Sequence, residues 1–174
     1  PQPPEQTPPA AGTEAAPTET AADKEQEALP PLAPNGSPAT VVAVSADGKL
    51  VATSGTVHDR AAILVREMAS GLLRHTFIGH GAEIESLAFH PAGTQLVSGS
   101  GDGTARVWQL GEAKFPELSA FDGHGGKVTS VAYNTAGTQI LSAAADGSLK
   151  IWTAASGELV KDLPPHEGAI AAAA

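Results

Sequence analysis

GHGAEIESLAFHPAGTQLVSGSGDGTARVW, residues 79–108, is followed by a near-copy, GHGGKVTSVAYNTAGTQILSAAADGSLKIW, at residues 123–152. His80 and His124, Gly93 and Gly137, Asp102 and Asp146, and Trp108 and Trp152 each stand 44 residues apart. A period of this size marks an architecture made by stacking like units, since one such unit cannot bury its apolar face alone. The first copy reads as strands over 84–89, 95–98, 104–110 and 118–121. The second reads as strands over 128–133, 139–142, 148–153 and 158–163. Short apolar runs separated by Gly-containing turns describe an antiparallel meander. No apolar stripe of helical period interrupts it.

Leu87-Ala88-Phe89 and Val131-Ala132-Tyr133 are apolar at consecutive positions instead of alternating. Strands of that kind are covered on both faces. A small four-stranded sheet covered on both faces lies between like sheets, as radially stacked propeller blades do. The expected fold is therefore all-β, made of propeller blades in an incomplete ring. An earlier, degenerate unit precedes the two copies, with strands over 41–45, 50–54, 63–67 and 72–78. A longer loop through His58-Asp59-Arg60 is expected between its second and third strands.

Gly79-His80 and Gly123-His124, each His 28 residues before a Trp, resemble the repeat units of the WD-repeat β-propeller family. The resemblance spans residues 35–174. The second letter of the signature is missing twice, with Gln109 after Trp108 and Thr153 after Trp152. The resemblance implies a hydrogen-bonded tetrad in each blade: His80, Ser98, Asp102 and Trp108, then His124, Ser142, Asp146 and Trp152. The chemistry is self-consistent. Asp accepts from a turn amide and from imidazole, imidazole bonds the hydroxyl, and the indole N–H closes the chain. A satisfied buried network of this kind fixes one geometry. A hydrolase reading of Ser, His and Asp fails on placement, because the serines lie inside apolar strands and the set recurs identically.

In the first unit, aligning Gly48 with Gly93 places Thr53 at the Ser98 position and Asn35 at that of His80. Aligning Gly71 with Gly157 places Arg66 at the Trp position, and Asp59 falls in a loop lengthened by one residue. This reads as an end blade with a weak network. His75 and His90 read as surface residues, without a second ligand at metal spacing. Asp102-Gly103 and Asp146-Gly147 are turn signals, and the residues after them do not supply a calcium loop. Neither a metal nor a cofactor is expected.

Residues 1–39 hold ten prolines and six acidic residues against one lysine. Such a segment cannot bury enough apolar surface to offset ordering entropy, so a disordered, extended tether is expected. Domain organisation is thus a tether at 1–39 and a repeat segment at 40–174, with units at 40–78, 79–122 and 123–165. His166 opens a fourth unit, residues 166–174, and a longer propeller with further blades from the same chain is the expectation.

The net charge of −9, from 10 basic and 19 acidic residues, leaves no basic run for a phosphate backbone, so nucleic acid is not an expected partner. Cysteine is absent, which removes disulfides and thiolate sites but leaves the compartment open. No run approaches the roughly 20 apolar residues of a membrane-spanning helix. The functional expectation is a non-catalytic protein–protein interaction scaffold. The resemblance places its partner face on the loops before the inner strands and between the second and third: His58, Glu83, Glu85, Gly101, Lys127 and Ala145. The alternative is a regulatory or substrate-positioning domain of a larger enzyme whose chemistry lies outside this chain.

Overall fold

The computed structural model of the chain describes residues 39–111, 117–165 and 168. The expectations for the tether before Ala39 and for the unit opening at His166 lie outside the described residues. The rest forms three four-stranded antiparallel sheets in chain order. The first holds β1 (Val42–Val44), β2 (Leu50–Val57), β3 (Arg60–Glu67) and β4 (Leu73–Ile78). The second holds β5 (Ile84–Phe89), β6 (Gln95–Ser100), β7 (Thr104–Gln109) and β8 (Glu117–Asp122). The third holds β9 (Val128–Tyr133), β10 (Gln139–Ala144), β11 (Leu149–Thr153) and β12 (Leu159–Leu163). Each sheet is a simple meander with sequential strands as neighbours.

Local chemistry sets the turns. Gly48, Gly93 and Gly137 close the first hairpin of each sheet with φ of 69°, 69° and 72°, a conformation that side chains disfavour. Each donates its N–H three residues back, to Ser45, His90 and Asn134 at 2.8–2.9 Å. The matched register runs through the sheets. Leu87 pairs with Ser98 and Leu96 with Trp108 in the second, as Val131 pairs with Ser142 and Ile140 with Trp152 in the third.

The expected long loop in the first unit is instead an extended hairpin. Thirteen positions separate Thr53 from Arg66, against ten between Ser98 and Trp108. The three extra residues continue the ladder through Thr56↔Ala61 to Val57↔Arg60. That leaves His58-Asp59 as a two-residue turn, with φ of 49° and 59°. Positive φ at both positions is what a tight hairpin demands. Polar residues without glycine hid the turn from sequence reading.

Two apolar layers lie between the sheets. Ala52, Ile63, Val65 and Phe77 of the first sheet meet Ile84, Leu87, Leu96 and Trp108 of the second. Val97, Ala105, Val107 and Phe121 of the second meet Val128, Val131, Ile140 and Trp152 of the third. Strand β5 packs against both β1 and β9, so the first strands of the sheets form the common inner line. Ser86 Oγ on β5 also accepts the N–H of Val131 on β9 at 3.1 Å. Each tryptophan thus faces the preceding sheet. The equivalent face of the first sheet has no such neighbour among the described residues, and Val42 and Val44 stand 65% and 51% exposed there. These are the blades of an incomplete propeller.

Candidate functional site: the turn face and its buried networks

In the second sheet, β6 and β7 set Ser98 and Trp108 side by side, and the segment before β5 brings His80 over them. Trp108 Nε1 donates to Ser98 Oγ at 2.8 Å, and His80 Nε2 lies 2.7 Å from the same oxygen. His80 Nδ1 lies 2.9 Å from Asp102 Oδ2. A carboxylate only accepts, so the proton sits on Nδ1 and Nε2 accepts from the serine O–H. Asp102 further accepts Gly81 N, Thr104 N and Thr104 Oγ1 at 2.7–2.9 Å. Burial raises the Asp102 pKa. The bonds from Thr104, Gly81 and His80 outweigh that and hold it well below the usual carboxylate range.

The third sheet repeats the upper half and alters the lower. Trp152 Nε1 donates to Ser142 Oγ and His124 Nε2 approaches the same oxygen, both at 2.6 Å. His124 Nδ1, however, meets Ser148 Oγ at 2.6 Å, and Ser148 Oγ donates to Asp146 Oδ1 at 2.6 Å. A hydroxyl has one proton, so Ser148 spends it on Asp146 and accepts from the imidazole. The direct imidazole–carboxylate contact expected for His124 and Asp146 is therefore replaced by a serine relay. Asp146 also accepts Gly125 N at 2.8 Å. Its pKa is lowered, chiefly by the Ser148 hydroxyl, and burial lowers that of His124.

Ser98 and Ser142 are fully buried and neither oxygen is open to a substrate. In the first sheet Arg66 pairs with Val51 as Trp108 pairs with Leu96, and its guanidinium donates to Gly71 O at 3.2 Å. His75 and His90, expected at the surface, are both partly exposed and also take part in packing. His75 stacks on Phe77 at 5.6 Å. His90 sets its ring edge-on to Tyr133 at 5.1 Å.

The turns around these networks gather on one side. Gly101 N donates to Glu83 O, and the equivalent Ala145 N to Lys127 O, both at 2.9 Å. Lys127 Nζ reaches Glu85 Oε1 at 3.3 Å, linking the turns of neighbouring sheets. His58 occupies the tip of the long hairpin. Among the described residues no group of three His, Asp or Glu could hold a metal ion, and no helix is long and apolar enough to cross a membrane.

Sequence reading missed two pairs that the structure joins. Phe77 stacks on Trp108 and Phe121 on Trp152, each at 5.3 Å between centroids. Phe77 and Phe121 are themselves 44 residues apart, which is the signal that was available.

The family model for the WD domain, G-beta repeat, matches residues 71–109 and 115–153. The chain carries WD repeats. Each matched span opens on the last strand of one sheet and closes on the third strand of the next, so one WD repeat holds both members of a Phe–Trp pair. A Neurospora crassa periodic tryptophan protein 2 homolog is 42% identical over 69 residues, 40% of this chain and 8% of that protein. The nuclear distribution protein PAC1 of Tuber melanosporum is 52% identical over 42 residues, 24% and 9% of the two chains. The ribosome biogenesis protein erb1 of Botryotinia fuckeliana is 53% identical over 34 residues, 20% and 4%. The chain thus spans less than a tenth of the length of these relatives. WD repeats generally serve as protein-interaction scaffolds.

Proposed function

We propose that this chain is a non-catalytic scaffold whose WD repeats present a protein-docking face on the turns around Glu83, Glu85, Gly101, Lys127 and Ala145. The tetrads His80–Ser98–Asp102–Trp108 and His124–Ser142–Asp146–Trp152 act as structural supports beneath it. The observation that carries this reading is the Glu85–Lys127 pair at 3.3 Å. It joins the turns of two sheets into one continuous, charged, solvent-facing surface above a buried and satisfied network. Complementary charge on such a surface governs on-rate and specificity more than fold stability. The units at 40–78, 79–122 and 123–165 are read as blades of a ring continued by further blades of the full-length chain. The exposed Val42 and Val44 support that reading.

Affinity capture tests it. A protein retained by the intact chain should be lost with Glu83→Lys and with Lys127→Glu, at unchanged thermal midpoint. Lys49→Glu, on the turn at the opposite strand end, should leave capture intact. Equal retention by all three variants would remove the turn face from consideration.

A further inference from the structure

The first and second sheets frame an open cleft of about 430 Å³ on the turn side, its lining polar and apolar in about equal measure. One wall is the long β2–β3 hairpin, contributing Thr56, Asp59 and Arg60, and the other is the connection from Gly79 to Ile84, contributing Glu83. No hairpin of this length exists in the other sheets, whose second and third strands are shorter and are joined through 101–103 and 145–148. The charges also differ in how they are used. On the neighbouring turns Glu85 is paired with Lys127, and Asp102 and Asp146 are held by their networks. In the cleft, Asp59, Arg60 and Glu83 make no ion pair or side-chain hydrogen bond among the described residues.

We infer that this cleft receives a lysine or arginine side chain from a partner protein, which rests on the scaffold reading above. Two carboxylates against one guanidinium leave the mouth with excess negative charge, within a chain of net charge −9. Half-buried Ala61 and Ala82 line the walls below. A cation on a long apolar stem suits that arrangement, methylenes against the alanines and head group at the carboxylates. A planar guanidinium adds two-pronged bonding to a carboxylate. Arg60 is placed to take a carboxylate from the same segment.

The test titrates N-acetyl-arginine amide into the ¹⁵N-labelled intact chain, with N-acetyl-glutamine amide as the neutral control. Saturable shifts at the amides of Thr56, Asp59, Arg60, Gly81 and Glu83 are expected with the cationic probe alone. The double variant Asp59→Asn, Glu83→Gln should weaken binding about tenfold, while Lys127→Gln should not. Shifts that never saturate, that appear equally with the neutral probe, or that survive the double variant overturn the cleft. Protein capture separates the two readings. Capture that depends on Lys127 but not on Asp59 keeps the scaffold face and overturns the cleft. Saturable probe binding beside capture that is indifferent to Lys127 but lost in the Asp59→Asn, Glu83→Gln double variant keeps the cleft and overturns the wider face.

Discussion

The ring of Phe77 lies stacked on that of Trp108, 5.3 Å between centroids and 16° between planes, although the two side chains belong to different sheets. Trp108 in turn meets His80 edge-on at 6.0 Å. Phe121, Trp152 and His124 repeat the arrangement one sheet later. Each buried network is therefore capped by an aromatic ring from the sheet before it. Phe77→Ala and Phe121→Ala should each cost about 3–5 kcal/mol, the range for deleting a buried phenylalanine. Urea unfolding checks this, and a loss below about 1 kcal/mol would show that the stack carries no inter-sheet packing.

The two networks respond differently to loss of the hydroxyl beside the aspartate. Thr104→Ala leaves the direct His80–Asp102 bond in place. Ser148→Ala removes the only hydrogen-bonded link between His124 and Asp146 seen among the described residues, stranding a part-buried imidazole N–H. An unmade buried bond costs about 1–3 kcal/mol, against about 0.5–1.5 for an ordinary hydrogen bond. Ser148→Ala should therefore destabilise more than Thr104→Ala, and equal unfolding midpoints would contradict the relay.

Much of this was legible in the sequence, and the limits have physical causes. The 44-residue period and the doubly apolar strands gave the sheets and their order, because burial on both faces leaves a mark at every position. The ends of β2 and β3 were missed. Gly55, Ala61 and Ala62 carry no strong strand signal, and their pairing is set by cross-strand register instead of propensity. The serine relay was invisible because Thr104 and Ser148 look interchangeable on paper. Which hydroxyl stands between imidazole and carboxylate depends on tenths of an ångström.

Acid should weaken the fold in two stages. Burial lowers the pKa of His124 and of His75, so the folded state prefers the neutral ring. Between those lowered values and the ordinary 6.5, the unfolded chain binds more protons than the folded one, so stability is full above 6.5 and falls as pH drops through that window. Asp102 and Asp146 are lowered from 3.8 and act below it. Their contribution is present above 3.8 and lost as pH falls toward the folded values. Thermal midpoints measured from pH 8 to pH 3 should show both stages, and His124→Gln should shrink the first more than the second, to which His124 contributes only the smallest of the causes acting on Asp146.

Gly99 sits on β6 where a side chain would collide with the third sheet. An added Cβ would lie 2.7 Å from Val128 Cγ1 and 3.1 Å from both Val128 O and Val131 Cγ1. The third sheet carries Ala143 at the matching place, so only the second-to-third packing demands glycine. Gly99→Ala should cost about 1–3 kcal/mol through overpacking. The pair Gly99→Ala with Val128→Ala should recover part of that loss, and a fully additive double variant would exclude the clash as its source.

Tyr133 ends β9 with its hydroxyl buried and without a hydrogen-bond partner among the described residues. Burial alone pushes its ionisation above the ordinary tyrosine value. Phe89 occupies the equivalent position in the second sheet, pairing with Leu96 as Tyr133 pairs with Ile140. Packing there needs only the ring, which also receives His90 edge-on. Removing an unsatisfied hydroxyl removes its desolvation cost and forfeits no bond. Tyr133→Phe should therefore leave stability unchanged or raise it by up to about 1 kcal/mol, with the urea m-value unaltered. A loss of comparable size would mean that the hydroxyl is satisfied in solution, most simply by a water entering between the second and third sheets.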